Sequence, residues 1–205
     1  MMINVHELFG DIDIYLFDQI LKGRFNPAMK ILDAGCGSGR NLVFFLHNNY
    51  QVFGVDQNPS AIEQIQSLAK THAPNLSQGN FQVSSVEKMP FPNEHFDAVI
   101  SSAVLHFAAN ERHFYEMLKE MWRVLKIDGL FFARLASSIG IEERIKPIKD
   151  GRYLLPDGSE RFLVDENFLV SLTNQLNGEW SEPLKTTNVQ NLRCMSTWIL
   201  RKSRT

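Results

Sequence analysis

Glycines 35, 37 and 39 follow Ile31-Leu-Asp-Ala and precede Arg40-Asn41, so an apolar run ends in residues that carry no Cβ. Such a turn bends sharply and lets a flat ligand lie against the backbone. A dinucleotide-binding turn spaces its glycines at relative positions one, three and six, which leaves the helix N-terminus open to pyrophosphate. Here position six is Arg40, and the third glycine comes one residue early. Asp33 stands just ahead of Gly35; a carboxylate there repels pyrophosphate but suits a ligand bearing an ammonium and a sulfonium. Asp56 ends the next apolar run, and its carboxylate can accept two hydrogen bonds from a ribose diol. The competing reading is a cap aspartate ahead of Asn58-Pro59. His106, in Ser101-Ser-Ala-Val-Leu-His-Phe, is a candidate catalytic base if its imidazole is neutral. Between Leu105 and Phe107 it is otherwise a packed wall residue.

Elements that alternate helical and strand-like patterns must position these groups, which predicts an α/β sheet with helices on both faces. Apolar spacing predicts an opening cap helix over 11–22, with Ile12, Leu16, Ile20, Phe17 and Leu21 on its inner side. Strands follow over Met29–Asp33, Gln51–Asp56, Asn80–Val83 and Phe96–Ser101. Helices fall over 41–47, from Pro59 onward, and from about 110 to 125. Proline suits the first turn because its missing N–H would be unpaired there anyway. Asp128-Gly129 is read as the end of that last helical unit and Leu130–Ala136 as strand 5. The stretch 139–164 departs from alternation: its Pro156-Asp-Gly turn predicts a hairpin insertion, a candidate lid. A helix capped by Asp165 and two antiparallel strands near 184–189 and 193–202 complete the pattern.

With 205 residues, 44% of them hydrophobic and 15 phenylalanines, the chain can bury one substantial core, and 1–205 is read as a single domain. The net charge of −2 gives no basic excess of the kind phosphate neutralisation demands, so no nucleic-acid partner is expected. The 2 cysteines, Cys36 and Cys194, are too few and too far apart for a disulfide frame or a four-cysteine zinc site. No His/carboxylate grouping suggests a metal. The first residues lack a basic region before an apolar run, and no run approaches the roughly 20 residues that span a bilayer. A cytoplasmic protein without a membrane partner is the expectation; oligomeric state is open.

Asp33-Ala-Gly-Cys-Gly-Ser-Gly resembles the first motif of class I S-adenosylmethionine-dependent methyltransferases. Gly54-Val-Asp-Gln-Asn-Pro-Ser, Val86-Glu-Lys-Met-Pro-Phe-Pro, Phe96-Asp-Ala-Val-Ile-Ser-Ser-Ala-Val-Leu-His-Phe and Met121-Trp-Arg-Val-Leu-Lys-Ile-Asp-Gly-Leu follow in that family's order. The small-molecule branch is the most similar. The resemblance implies a Rossmann-like three-layer sandwich with a mostly parallel seven-stranded sheet, order 3-2-1-4-5-7-6, the last strand antiparallel. It implies S-adenosylmethionine as cofactor, no metal, and a small-molecule acceptor methylated by in-line displacement.

By the same resemblance, Asp33, Ala34, Gly35, Cys36, Gly37, Gly39 and Asn41 form the cofactor turn. Asp56 holds the ribose, Gln57 borders the adenine, the Ser101 carbonyl holds the methionyl amine, and Leu105 lines the pocket. Ser85 stands where many members carry an acidic residue reaching the adenine amino group; Val86 and Glu87 complete that region. Tyr15, Lys22 and Arg24 in the opening segment, Arg134 after strand 5, and Arg152, Tyr153 and Arg161 in the insertion are candidate acceptor or lid residues. The Asp/Asn-Pro-Pro-aromatic motif of nucleic-acid amino-methyltransferases is missing, no paired-glutamate loop of protein arginine methyltransferases is visible, and a CxxxCxxC iron–sulfur motif needs three cysteines. Alternatives are a cofactor-binding module without turnover and a nicotinamide-dependent oxidoreductase.

Overall fold

Strand residues that alternate between two apolar faces dictate a sheet covered on both sides, and this is what the computed structural model, which describes residues 4–204, shows. In chain order the elements are α1 (Val5–Phe9), α2 (Ile14–Leu21), β1 (Lys30–Ala34), α3 (Val43–His47), β2 (Gln51–Asp56), α4 (Pro59–His72), β3 (Phe81–Val83), β4 (Phe96–Ser102), α5 (Glu111–Val124) and β5 (Leu125–Ser137). There follow β6 (Lys146–Lys149), β7 (Arg152–Leu154), β8 (Glu160–Phe162), α6 (Glu166–Gln175), β9 (Gly178–Trp180), β10 (Lys185–Val189) and β11 (Arg193–Lys202). The main sheet runs β3-β2-β1-β4-β5-β11-β10. Pairing is parallel from β3 to β5, and β11 is antiparallel to both β5 and β10. This is the expected order, with one addition: β9 pairs with the far end of β11.

Successive strand residues go to opposite sides. Leu32, Val99, Phe131, Trp198 and Leu200 join α5 and α6 in one core. Ile31, Ile100, Phe132 and Ile199 join α2, α3 and α4 in the other. Side-chain caps start the long helices where the sequence predicts them. The Asn58 side chain accepts from the Ser60 amide, Asn110 from His113 at 2.8 Å, and Asp165 from Phe168 at 2.7 Å.

Several boundaries differ for physical reasons. The opening helix begins only at Ile14, because Asp13 is its cap and accepts from the Tyr15 amide; Leu21 on its last turn faces solvent. Helix α3 starts at Val43 because Asn41 is committed to the Asp13 amide at 3.0 Å. Strand β5 starts at Leu125, not Leu130: Leu125 pairs with Phe96, and residues 126–129 bulge out before Leu130 pairs with Ala98, with Asp128 in the left-handed region. The insertion is a three-stranded antiparallel sheet rather than a hairpin, since Lys146–Lys149 pairs with β7 despite Pro147. Pro147 is tolerated on that edge strand.

The insertion joins the main sheet where β5 outruns β4. Ser102 pairs with Arg134, the last β4–β5 pair, and the amides beyond it on β5 need other partners. His106 Nδ1 accepts from the Ala136 amide at 3.2 Å, and Val164 O accepts from Ser138 at 2.9 Å. His106→Ala would leave a buried amide unpaired, and we expect a loss of about 1–3 kcal/mol in urea unfolding. Gly39 sits at φ +90° with Ile65 Cδ1 only 2.1 Å from where a Cβ would lie. Gly39→Ala therefore combines backbone strain with overlap, and a loss of roughly 2–4 kcal/mol by the same measurement is expected.

Candidate active site at the C-terminal edge of the sheet

Strand β1 ends in Asp33-Ala34, and parallel pairing to β2 and β4 sets Asp33 beside Gly54 and Ile100. The Asp33 carboxyl is buried, and among the described residues neither of its oxygens has a partner at ordinary hydrogen-bond distance, although the nearby Asn41 side chain acts on it weakly as a donor. Burial, opposed by the Arg40 guanidinium and assisted by the Asp56 carboxylate, pushes its pKa up to about 7. An unpartnered buried carboxyl is costly unless something supplies a donor or a positive charge. The turn that follows is fixed by backbone bonds: Gly35 and Cys36 both donate to Val55 O, at 2.8 and 2.9 Å. Asp56, at the tip of β2, accepts from the Gly37 amide and the Asn58 amide, each at 2.9 Å. The cap of α4 is Asn58 and not Asp56, which instead organises the turn and lines the cleft.

Gly35 has φ +84°, and a Cβ on it would come within 2.5 Å of Val104 Cγ2. Its lack of a side chain lets the tip of β4 close down on the tip of β1. Ala103 makes that approach possible by adopting φ +63°, a conformation that costs a non-glycine residue roughly 1 kcal/mol. A cleft of about 250 Å³ results, lined by Gly35, Asp56, Gln57, Ser85, Val86 and Glu87 from the sequence-derived set. Ala103, Val104, Phe107, His113 and Met117 also line it. No sequence signal marked Ala103 or Val104, because a left-handed alanine has no compositional signature; His113 and Met117 read simply as part of helix α5.

Other sequence-derived residues act from behind. Ala34 and Leu105 are wholly buried, and Ser101 is buried with its Oγ unpartnered. The Cys36 side chain turns away from the cleft to pack under Gly54, whose hypothetical Cβ would lie 2.8 Å from its Sγ; burial raises the thiol pKa. Gly39 serves close packing on α4, while Gly37 has open space at its α-carbon. Asn41 ties the turn to the opening segment through Asp13.

A second cavity of about 380 Å³ shares Ala103 and Phe107 with the first. His106, Arg134, Arg40, Leu155, Asp157 and Arg161 are among its walls. Because His106 Nδ1 accepts an amide proton, the neutral ring carries its own proton on Nε2, so the free nitrogen is a donor. Burial, with Arg161 nearby, lowers its pKa to about 4. Arg134 bonds the Asp13 carboxylate at 2.9 Å and stacks 4.8 Å from the Tyr15 ring centroid, so the opening helix is fastened over this cavity.

The remaining acceptor candidates lie elsewhere. Lys22 and Arg24 reach Glu182 and line a surface depression beside Met29, Asp97 and Gly129, at the N-terminal edge of the strands. Helix α2 runs away from the site, so its last turn and the residues after it finish at the wrong end. Arg152 donates to Ala108 O at 3.0 Å, and Tyr153 packs on the small core of Ala136, Leu155 and Leu163. These two support the insertion instead of lining either cavity. Among the described residues no cluster of His, Cys, Asp and Glu could hold a metal, and no helix is long and apolar enough to cross a membrane.

Residues 32–133 match the family profile described as "Methyltransferase domain". The uncharacterized methyltransferase YodH of Bacillus subtilis (strain 168) is 30% identical over 171 residues, which cover 83% of this chain and 64% of that protein. The chain spans 38%, 46% and 48% of the next three curated relatives. In fold it is similar to an S-adenosylmethionine-dependent methyltransferase from Methanosarcina mazei, with TM-score 0.72, 23% identity, and 91% and 98% of the two chains covered. It is also similar to 1,6-didemethyltoxoflavin-N1-methyltransferase of Burkholderia thailandensis, solved with bound 1,6-didemethyltoxoflavin and S-adenosylhomocysteine, with TM-score 0.71, 18% identity, and 96% and 80% covered. The matched segment contains the glycine turn, both aspartates and the β4 tip, and on that ground residues 32–133 belong to the methyltransferase domain family.

Proposed function

We propose that this chain binds S-adenosylmethionine and transfers its methyl group to a small-molecule acceptor. The observation that carries this reading is the buried, unpartnered Asp33 carboxyl beneath a turn whose open side is bordered by Asp56. The residues present fit the cofactor: an ammonium satisfies Asp33, and a ribose diol satisfies the cleft-facing side of Asp56. Gln57, Ser85, Val86 and Glu87 border the adenine, and the Ser101 carbonyl is assigned to the amine. The cofactor supplies a methyl group already activated on a sulfonium, so the protein chiefly aligns reactants and excludes water. Ala103 and Phe107, walls of both cavities, form the boundary across which the acceptor meets the cofactor cleft. His106 serves there as a hydrogen-bond donor from Nε2 and not as a proton-accepting base. The insertion, with Arg161 on it, covers the acceptor side.

Calorimetric titration tests this directly. S-adenosylhomocysteine, which keeps the ammonium and ribose, should bind, and NADH should not; binding of NADH alone would overturn the proposal. Asp56→Ala should weaken S-adenosylhomocysteine binding by about 10–100-fold, from the loss of charge-assisted bonds of about 1.5–3 kcal/mol. An affinity within twofold of wild type removes Asp56 from the site.

The raised pKa of Asp33 gives a signed pH dependence. A ligand ammonium favours the carboxylate, so binding expels the proton held by the free protein below about pH 7. Affinity should therefore be flat above pH 7 and fall by up to about tenfold per unit below it. Asp33→Asn should bind more weakly and lose that slope; a slope retained in the variant would assign it to another group.

A further inference from the structure

We infer that the second cavity selects a small organic anion as methyl acceptor, with its carboxylate or phosphate group held by Arg161. The inference rests on the function proposed above and adds the acceptor's charge class. Four guanidiniums, of Arg40, Arg134, Arg161 and Arg193, face a cavity that contains only two carboxylates, of Asp13 and Asp157. The carboxylates are already used. Asp13 pairs with Arg134 at 2.9 Å; Asp157 takes the Ser159 hydroxyl at 2.6 Å and lies 3.9 Å from Arg193. Arg40 and Arg161 have no ion-pair partner among the described residues.

These two free cations differ in position. Arg40 acts on the Asp33 carboxyl and donates to Ser102 Oγ at 3.1 Å, which assigns it to the cofactor end. Arg161 lies across the cavity on β8. Its Cζ stacks 4.9 Å from the Phe107 centroid, and its charge is felt at His106. One nitrogen, Nη1, is spent on Glu160 O at 2.7 Å, leaving the rest of the fork for a ligand. The His106 Nε2–H adds a neutral donor at the same wall. A cavity of about 380 Å³ admits a small molecule. A cationic acceptor would meet the Arg161 guanidinium, which is near Asp157 but forms no ion pair among the described residues, and a large apolar one would strand it without a ligand partner.

Protein saturated with S-adenosylhomocysteine, its binding measured first, would be titrated with benzoate, phenyl phosphate, benzamide and benzylamine. These probes share a ring and differ in charge. We expect benzoate or phenyl phosphate to bind at least about tenfold more tightly than benzamide, with benzylamine weakest. The stronger of the two anions separates carboxylate from phosphate recognition. Arg161→Gln keeps a polar stem over Phe107 and should erase the anion preference, while Arg161→Lys should retain part of it. Unchanged S-adenosylhomocysteine binding by both variants shows that fold and cofactor cleft are intact. Equal affinity for the anions and benzamide, no measurable binding of either anion, or a preference that survives Arg161→Gln overturns this inference alone. Failure of S-adenosylhomocysteine to bind the wild type overturns the proposed function, and this inference with it.

Discussion

A carboxyl group buried without a donor at ordinary hydrogen-bond distance is the constraint around which this molecule is organised. Asp33 lies near the end of the central strand β1, buried between parallel neighbours on both sides. In an ordinary fold such a group would be replaced or paired, since its desolvation costs more than a strand aspartate returns. Here the cost falls on the free protein as a carboxyl that holds its proton to about pH 7. In the proposed function a ligand cation relieves it, which makes the destabilised group a source of binding energy and of selectivity against phosphates.

The surrounding architecture follows from keeping that carboxyl buried beneath the turn, lining neither cavity itself. Gly35 lets Val104 settle on the turn, and the strained Ala103 directs the chain at the end of β4 so that Phe107 stands between two cavities. Beyond that point β5 continues beside β11 but without β4, and His106 and Val164 take over the amides that β4 no longer satisfies. The histidine that a reader of the sequence singles out for proton transfer is thus spent, at one nitrogen, on completing the sheet. Its remaining N–H, the Arg134–Asp13 pair and the Arg161–Phe107 stack line the second cavity.

Much of this was legible because strong local rules agree with the global fold. The glycine turn after β1, the proline at the start of α4, the Asn110 and Asp165 caps and the strand runs of β2, β4 and β11 all read correctly. Misreadings arose where tertiary contacts override local pattern. Lys126-Ile-Asp-Gly reads as a helix terminator but is a bulge inside β5, because Leu125 pairs with Phe96 first. Pro147 hid β6, and the short β9 forms only because β11 extends past β10. Side-chain direction was the least readable property. Cys36 packs inward and Arg24 finishes at the opposite edge, while Arg161 alone of the insertion's singled-out cations reaches the cavity. Sequence spacing gives proximity along the chain, not which face a residue serves.

The most direct test of the central claim is carboxyl carbon-13 NMR of Asp33, titrated with pH in free protein and in the S-adenosylhomocysteine complex. The account predicts a midpoint near 7 in the free protein and a fall into the ordinary carboxylate range once the ligand ammonium is present. A midpoint already ordinary in the free protein, or one that the ligand leaves unmoved, would contradict it.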